Sequence, residues 1–587
     1  MMQRQKQTGR SGSHFGWLWL CLALLLPIQA FSADSIKVVV TGVDGVLRDN
    51  VMSYVGPMTA NDLRAWPKRR LALEGVVYEA MESMGYYNPK VTVEQYKGEV
   101  RINVSPGQPI RVGHLRLVFL GEAGNDIAFT ALRESLPLKE GDIFHHGNYE
   151  NLKSAIQSLA LERGYFSAEW VQHEVVVDPD RYLADIDVVY SSGRRFSFGP
   201  VSFEDMEGKS QTLLRPDVLA SMVPFEEGEP FDAGGIIKLN RSLLDTRYFS
   251  EVRVRQQSEG VEPLTVPVKV QMAGGKPNDI DVGIGYSTDV EGRISLTWRR
   301  PLINDRGHGV RASTELSQVR RSFDSVYSIP WTHPLDDVIQ LLYGVQREDV
   351  ESVVTYNTVL GVQRQIQREQ SWKRTFSLRW SRESFQRPDG VDGKSDLLLP
   401  GFSLDRVRSK GGVDPYWGDR QYYQTELASS QLLSDADFIT LRAGLRLLRT
   451  VADKHQFLLR ADGGAIIADR FEEVPLTMRF YAGGDQSVRG YDYKSLSPRD
   501  ANGIAVGARY LTTGSAEYDY TFYPRWRLAF FSDIGNAFDS VSEQMKVGSG
   551  LGIRWVSPVG PIRLDLAWAV SEPGKDFRVH FSMGPNL

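Results

Sequence analysis

Apolar residues recur at helical spacing three times in the first half of the chain. Leu73, Val77, Ala80 and Met84 form one stripe; Leu152, Ile156 and Leu159 a second; Ile236, Leu239 and Leu243 a third. Each has the three-to-four-residue spacing that lines one face of a helix. An aromatic step ends each stripe: Gly85-Tyr86-Tyr87, Gly164-Tyr165-Phe166 and Arg247-Tyr248-Phe249, 79 and 83 residues apart. An alternating strand, a turn and a second strand follow every step. Pro137-Leu-Lys-Glu-Gly-Asp-Ile-Phe144 returns 87 residues on as Pro224-Phe-Glu-Glu-Gly-Glu-Pro-Phe231, and Gly107 and Gly113 return 86 residues on as Gly193 and Gly199. A period of about 80 is long for a solenoid, so the pattern predicts three tandem small domains. Each runs strand, helix, helix, strand, strand, with first strands near residues 36–40, 115–120 and 201–203.

From about Asp279 the helical period gives way to alternation. Ile280, Val282, Ile284 and Tyr286 alternate with Asp281, Gly283, Gly285 and Ser287; Ile294, Leu296 and Trp298 alternate with Ser295, Thr297 and Arg299. Near the end, Ile562, Leu564, Leu566, Trp568 and Val570 alternate with Arg563, Asp565, Ala567 and Ala569, and Phe577, Val579, Phe581 and Met583 with Arg578, His580 and Ser582. One face is large and apolar, the other carries Arg, Asp and Gly, as in a transmembrane β-barrel. At about 19 residues per strand and turn, the region after residue 275 predicts about 16 antiparallel strands. Residues 385–420, rich in Gly, Asp, Pro and Ser, are expected to form long external loops.

The N-terminus changes the compartment. Arg4, Lys6 and Arg10 precede an apolar run over residues 16–28, and small residues follow at Ala30, Ser32 and Ala33. Thirteen apolar residues suit a secretory signal better than a bilayer span, with cleavage expected between Ala30 and Ala33. Cys21 is the only cysteine and lies inside that run, so the exported chain is expected to have no disulfide and no thiolate site. The expected organisation is a signal peptide over 1–33, repeats over 34–108, 109–195 and 196–275, and a barrel over 276–587. A net charge of −5 argues against nucleic acid. A mean hydropathy of −0.29 argues against a helical membrane protein and is compatible with a barrel.

The chain shows no G-x-S-x-G elbow, H-E-x-x-H helix or P-loop, so neither an enzyme nor a bound cofactor is expected. His145-His146 has no spaced third ligand and reads as a solvated loop, leaving no expected metal site. Gly548-Ser549-Gly550-Leu551-Gly552 alternates with Val547, Ile553 and Trp555 on a strand, where glycines clear space in a lumen.

The informative segment is Phe480-Tyr-Ala-Gly483-Gly484-Asp-Gln-Ser-Val488-Arg489-Gly490-Tyr491. With Phe531-Ser-Asp533-Ile-Gly535 it resembles the V-R-G-[FY] loop and F-x-D-x-G strand of the outer-membrane assembly superfamily that includes BamA, TamA and the two-partner secretion transporters. The repeats resemble its POTRA domains (polypeptide-transport-associated). The resemblance implies a loop folded into the lumen with Arg489 meeting Asp533. Three repeats and this length resemble the TamA branch, although the chain ends on Leu587, not on the aromatic residue usual for outer-membrane strands.

That resemblance implies assembly of outer-membrane proteins such as autotransporters, or lipid passage, with a TamB-like inner-membrane-anchored periplasmic protein as partner. Client proteins and outer-membrane lipid are the other expected partners. A two-partner-secretion transporter or a passive pore with periplasmic receptor domains is the alternative. A barrel that accepts client strands needs a weak closure. It is expected between the first strand, carrying Val282, Gly283 and Gly285, and the last, carrying Val579, Phe581 and Met583, with Val282 near the level of Phe581 or Met583. Exchanging Arg489 and Asp533 is expected to restore part of the function that either change alone removes.

Overall fold

The computed structural model describes residues 35–583 except 211, 257–263, 351, 369–370, 558–559, 573 and 575. The expected signal peptide, Cys21 and the last four residues lie outside the described residues. The chain divides into two compact units, one ending at Ser197 with short pieces at 230–233 and 262–264, the other holding the remainder.

The first unit contains two repeats. In the first, strand Val38–Thr41 leads into helices Gly45–Val55 and Trp66–Ser83 and then a hairpin of Lys90–Tyr96 and Glu99–Ser105. The opening strand runs parallel to the last strand of the hairpin, giving the order first, third, second. Leu73, Val77 and Ala80 are buried against Val51, Val100, Ile102 and Val104. The second repeat has the same order, with strand Arg111–Leu120, helices Ile127–Glu134 and His146–Glu162, and hairpin Glu169–Asp178 and Leu183–Ser191. Leu152 and Ile156 face Phe129, Ile186 and Val188 there. His145 precedes the helix that His146 begins, so the histidine pair is not a loop; the Tyr87 hydroxyl lies 2.6 Å from His146 Nε2.

The repeated aromatic step has a physical cause. Gly85 and Gly164 are left-handed (φ 87° and 83°), a conformation that costs a side chain about 1–2 kcal/mol. A Cβ on Gly85 would meet the Phe144 carbonyl oxygen at 2.4 Å, and one on Gly164 the Phe231 side chain at 2.7 Å. The freed carbonyls accept N–H bonds from the start of the next repeat, Ile110 to Gly85 (2.7 Å) and Phe196 to Gly164 (3.0 Å). Phe144 and Phe231, the last residues of the two Pro-to-Phe echoes, are the groups packed against these turns.

The second unit holds most of the third repeat, and the barrel. Strand Ser197–Asp205, helices Pro216–Ser221 and Ala233–Asp245, and strands Phe249–Gln256 and Thr265–Gly274 complete the repeat. It is tied to the first barrel turn on the repeat side: the Tyr248 hydroxyl donates to Gly307 O (2.7 Å), and Arg215 Nε donates to Asp305 Oδ2 (2.9 Å).

The barrel is a nearly closed antiparallel sheet of sixteen strands among the described residues, from Asp279–Ser287 to Arg578–Met583. Ile280, Val282 and Ile284 are 65–77% exposed, the lipid face of the predicted alternation. Among the described residues no helix is long and apolar enough to cross a membrane. Residues 385–420 are not external loops: most of them form the 19-residue strand Asp392–Lys410, paired to Lys373–Gln386 and Trp417–Ala428. Leu397 and Leu399 are buried inward, while its polar ends and the turns at Gly390 and Gly411-Gly412 supply the loop-like composition.

Candidate functional site: the lumen loop and the seam

Between the strands His455–Ala468 and Tyr510–Tyr523 the chain leaves the wall and folds into the barrel. Phe471, Val474, Phe480, Ala482, Val488, Tyr491 and Leu496 of this loop are buried with Leu397, Leu399, Phe438 and Ile466 of the wall. Wall carboxylates hold it through backbone and side chain. Glu383 accepts the N–H groups of Leu476 (2.9 Å) and Thr477 (3.0 Å), and Glu348 accepts Lys494 Nζ (2.7 Å) and Arg320 Nη2 (2.9 Å).

The tip of the loop brings Arg489 and Asp533 together. Arg489 donates to Asp533 from Nε (2.7 Å), Nη2 (2.9 Å) and its own backbone N–H (3.0 Å). It also donates to Glu517 Oε2 (2.7 Å) and Asp565 Oδ2 (3.2 Å), and its guanidinium lies 3.5 Å from the Phe531 ring centroid. Arg554 bridges the same two carboxylates from the other side, at 2.8 Å to Glu517 and 2.5 Å to Asp565. Arg460 stands 3.8 Å from Asp533. Three guanidiniums thus face three carboxylates, all shielded from solvent, where directed hydrogen bonds repay part of the cost of burying charge.

Glycines admit the loop. A Cβ on Gly548 would lie 1.8 Å from the Arg489 carbonyl oxygen, and one on Gly550 would lie 2.5 Å from the Phe531 ring. Gly483, Gly484 and Gly490 are left-handed (φ 100°, 102° and 94°). A Cβ on Gly483 would lie 2.3 Å from Asp492 O. Gly535 lies on the inner face beside Asp533, where its Cβ would reach Thr512 O at 2.6 Å. Sequence patterns missed Glu517, Arg554 and Arg460. Asp565 and His580 stood in the inward-facing sets, which was the available signal.

The seam is narrow. Among the described residues no ladder joins the first strand to the last; Thr288 N–H donates to Phe581 O (3.3 Å), and Phe581 N–H donates to Thr288 Oγ1 (2.8 Å). The Tyr286 and Phe581 rings lie edge to face at 5.9 Å. Phe581 therefore stands opposite Thr288 and Tyr286, not at the level of Val282. Alternation assigns Val282, Phe581 and Met583 to a face but leaves the sliding register open. Gly283 and Gly285 sit on the first strand against Ser295 and Arg293 of its other neighbour. Val579 is exposed on the last strand and pairs with Leu566.

Residues 274–586 match the Omp85 superfamily domain, residues 37–106 the POTRA domain TamA domain 1, and residues 122–192 the surface antigen variable number repeat. The chain belongs to the Omp85 superfamily, as an outer-membrane β-barrel protein with POTRA domains in the periplasm. It is 27% identical over 452 residues to the outer membrane protein assembly factor BamA of Nitratidesulfovibrio vulgaris, covering 72% of this chain and 55% of that one. It is 21% identical to BamA of Neorickettsia risticii, over 79% and 64% of the two chains. The chain thus spans 55% and 64% of the length of these relatives. Among solved structures, BamA of Haemophilus ducreyi lacking POTRA domains 1–3 superposes with a TM-score of 0.65 at 13% identity, covering 81% of this chain and 99% of the other. That likeness concerns the fold.

Proposed function

We infer that this protein is an outer-membrane assembly factor that inserts or translocates outer-membrane proteins such as autotransporters, through a seam that opens between the first and last barrel strands. The observation that carries this reading is the contrast in pairing. Interior neighbours share ladders of up to fourteen residue pairs, whereas among the described residues the first and last strands are joined by two hydrogen bonds at Thr288 and Phe581. An edge that weakly satisfied offers backbone groups to an incoming strand. The Arg489 loop is a plug fixed beside that edge, for which a passive pore has no use. The TamA-type match of the first repeat and the three repeats favour a TamA-like role, with a TamB-like periplasm-spanning protein captured by the repeats and lipid passage toward the outer membrane as a further task.

The test is reconstitution. Liposomes containing the purified protein should speed folding of a client β-barrel over empty liposomes, with little steady conductance. Client folding no faster than in empty liposomes would refute the reading, and high constant conductance would favour a pore. Co-purification from solubilised membranes tests the TamB-like partner.

A further inference from the structure

Three side chains from distant parts of the sequence converge beside the seam. Asp289 lies in the turn after the first strand, Asp485 in the lumen loop and His580 on the last strand, and one ligand-type atom of each lies within 4.8 Å of the others. Asp485 and His580 are 8% and 4% exposed. Gly490 N–H donates to His580 Nε2 (2.9 Å), so the neutral ring carries its proton on Nδ1 and donates it to Asp485 Oδ1 (2.5 Å). Asp485 N–H donates to Asp289 Oδ2 (2.8 Å).

The second oxygen, Asp485 Oδ2, is buried and has no hydrogen-bond partner among the described residues. A buried carboxylate oxygen without a donor, beside a second carboxylate, carries both a desolvation cost and a repulsion. A cation between the two relieves both. The approach of Asp289 is built in: a Cβ on Gly484 would fall 2.6 Å from Asp289 Oδ2. The nearby Arg578 is engaged with Asp492. A cavity of about 260 Å³, lined by Thr288, Asp289, Asp349, Asp492 and His580 among others, adjoins the cluster. At about 30 Å³ each it has room for several waters, which hard divalent ions retain when only one or two carboxylates bind them.

We propose that Asp289 and Asp485 bind an oxygen-seeking divalent cation of the Mg²⁺, Ca²⁺ and Mn²⁺ class, with water completing the shell. Ligands about 2.3–2.6 Å from a Ca²⁺ ion lie at most about 5 Å apart, which the cluster satisfies; the smaller Mg²⁺ would reach one carboxylate directly and the other through its retained water. His580 is a positioning residue: its Nδ1–H fixes one oxygen of Asp485 and leaves the other for the ion. Ligation through Nδ1 itself would require an imidazolate, because Nε2 already accepts a hydrogen bond; this disfavours a histidine-preferring metal such as Zn²⁺. The ion clasps the first hairpin, the lumen loop and the last strand, the three segments that meet at the seam.

The test titrates the chelator-treated full-length protein in nanodiscs with Mn²⁺, reading free ion by electron paramagnetic resonance and adding Ca²⁺ and Mg²⁺ as competitors. One saturable site per chain is expected. Asp485→Asn and Asp289→Asn, isosteric and measured separately, should each weaken binding at least about tenfold. His580→Gln should weaken it by about 10–100-fold, while Asp453→Asn, in the exposed turn after the strand Phe438–Val451, should leave it within about twofold. Heat-modifiable migration verifies that each variant is folded, so a failure of one aspartate variant to insert leaves the other decisive. Absence of a saturable site up to millimolar Mn²⁺, or unchanged affinity in a folded aspartate variant, would overturn the proposal.

Discussion

Arg489 and Asp533 are joined three times over, through Nε, Nη2 and the Arg489 backbone N–H, at 2.7, 2.9 and 3.0 Å. A side chain that also fixes its own backbone sets where the loop stops. Breaking a buried pair costs about 3–5 kcal/mol, roughly two to three and a half decades in an opening equilibrium at about 1.4 kcal/mol per decade. Arg489→Ala should therefore lower hydrogen-exchange protection across residues 486–492 by that order and impair client folding, while the barrel stays folded and heat-modifiable. Unchanged protection would show that Arg489 does not hold the loop.

The exchange Arg489→Asp with Asp533→Arg should not restore what either change removes. Glu517 and Asp565 also face Arg489, so an aspartate there meets two carboxylates in place of one guanidinium. Arg489→Lys should keep part of the activity, since it retains the charge but loses the planar fork. Client-folding rates in liposomes rank the variants, and full activity of the exchanged pair would show that only the Arg489–Asp533 contact matters.

Gly548→Ala should mimic Arg489→Ala without touching any charge. Its Cβ would enter the Arg489 carbonyl at 1.8 Å, whereas Gly292 on the second barrel strand has open space around it. Protease sensitivity of the lumen loop in intact membranes should rise in Gly548→Ala and stay at the wild-type level in Gly292→Ala. Equal sensitivity of the two variants would mean that the loop yields around the methyl group.

These residues show what was legible in the sequence. The repeat period was readable because left-handed Gly85 and Gly164 join consecutive domains, and the inner and outer faces were readable because alternation on a strand is strict. The Arg489–Asp533 pair followed from two motifs. The strand Asp392–Lys410 was hidden because polar turns at both of its ends diluted the alternation. Seam register was hidden for a different reason: period two assigns faces but carries no information on sliding. Asp289 and Asp485 are 196 residues apart in the chain, and only the folded loop reveals that they are neighbours.

The second repeat should have a built-in acid limit. Burial of Asp126 would raise its pKa, but the Ala128 N–H (3.0 Å), Arg163 (3.2 Å) and the Tyr165 hydroxyl (3.1 Å) outweigh it and hold the carboxyl below its ordinary value. A depressed folded pKa contributes stability above the unfolded value of about 3.9 that is lost as pH falls through the folded one. Hydrogen exchange over residues 111–191 of the full chain, corrected for intrinsic rates, should be flat above about pH 5 and rise below about pH 4. Asp126→Asn should be less protected at neutral pH and show a shallower acid dependence. An unchanged acid slope in that variant would assign the limit to another group.

Partner capture should depend on the first repeat. Its sheet, helices and core close within residues 38–105, so deleting residues 34–108 should leave the barrel inserted. On the proposed function, the partner would dock on the repeat most distant in sequence from the barrel. Co-purification of the TamB-like partner should then be lost while heat-modifiable migration persists. Retained co-purification would move the docking surface to a later repeat.

Locking the seam is the most direct test of the mechanism. Tyr286 and Phe581 meet across it on the lipid face, with ring centroids 5.9 Å apart, beside the Thr288–Phe581 hydrogen bonds. Cys21 is the only cysteine in the sequence and falls in the expected signal, so Tyr286→Cys with Phe581→Cys should pair without competitors if the Cα atoms lie within about 7 Å. Tyr286→Cys with Met583→Cys covers the neighbouring register, since a slip of one residue turns a side chain to the other face. Once oxidised, the staple makes opening at that level require breaking a covalent bond. A seam-opening insertase should lose client folding on oxidation and regain it on reduction, and a passive pore should conduct equally in both states. Full client folding by a barrel shown by electrophoresis to be cross-linked would eliminate the seam mechanism, while the fold, the loop contacts and the superfamily assignment would stand.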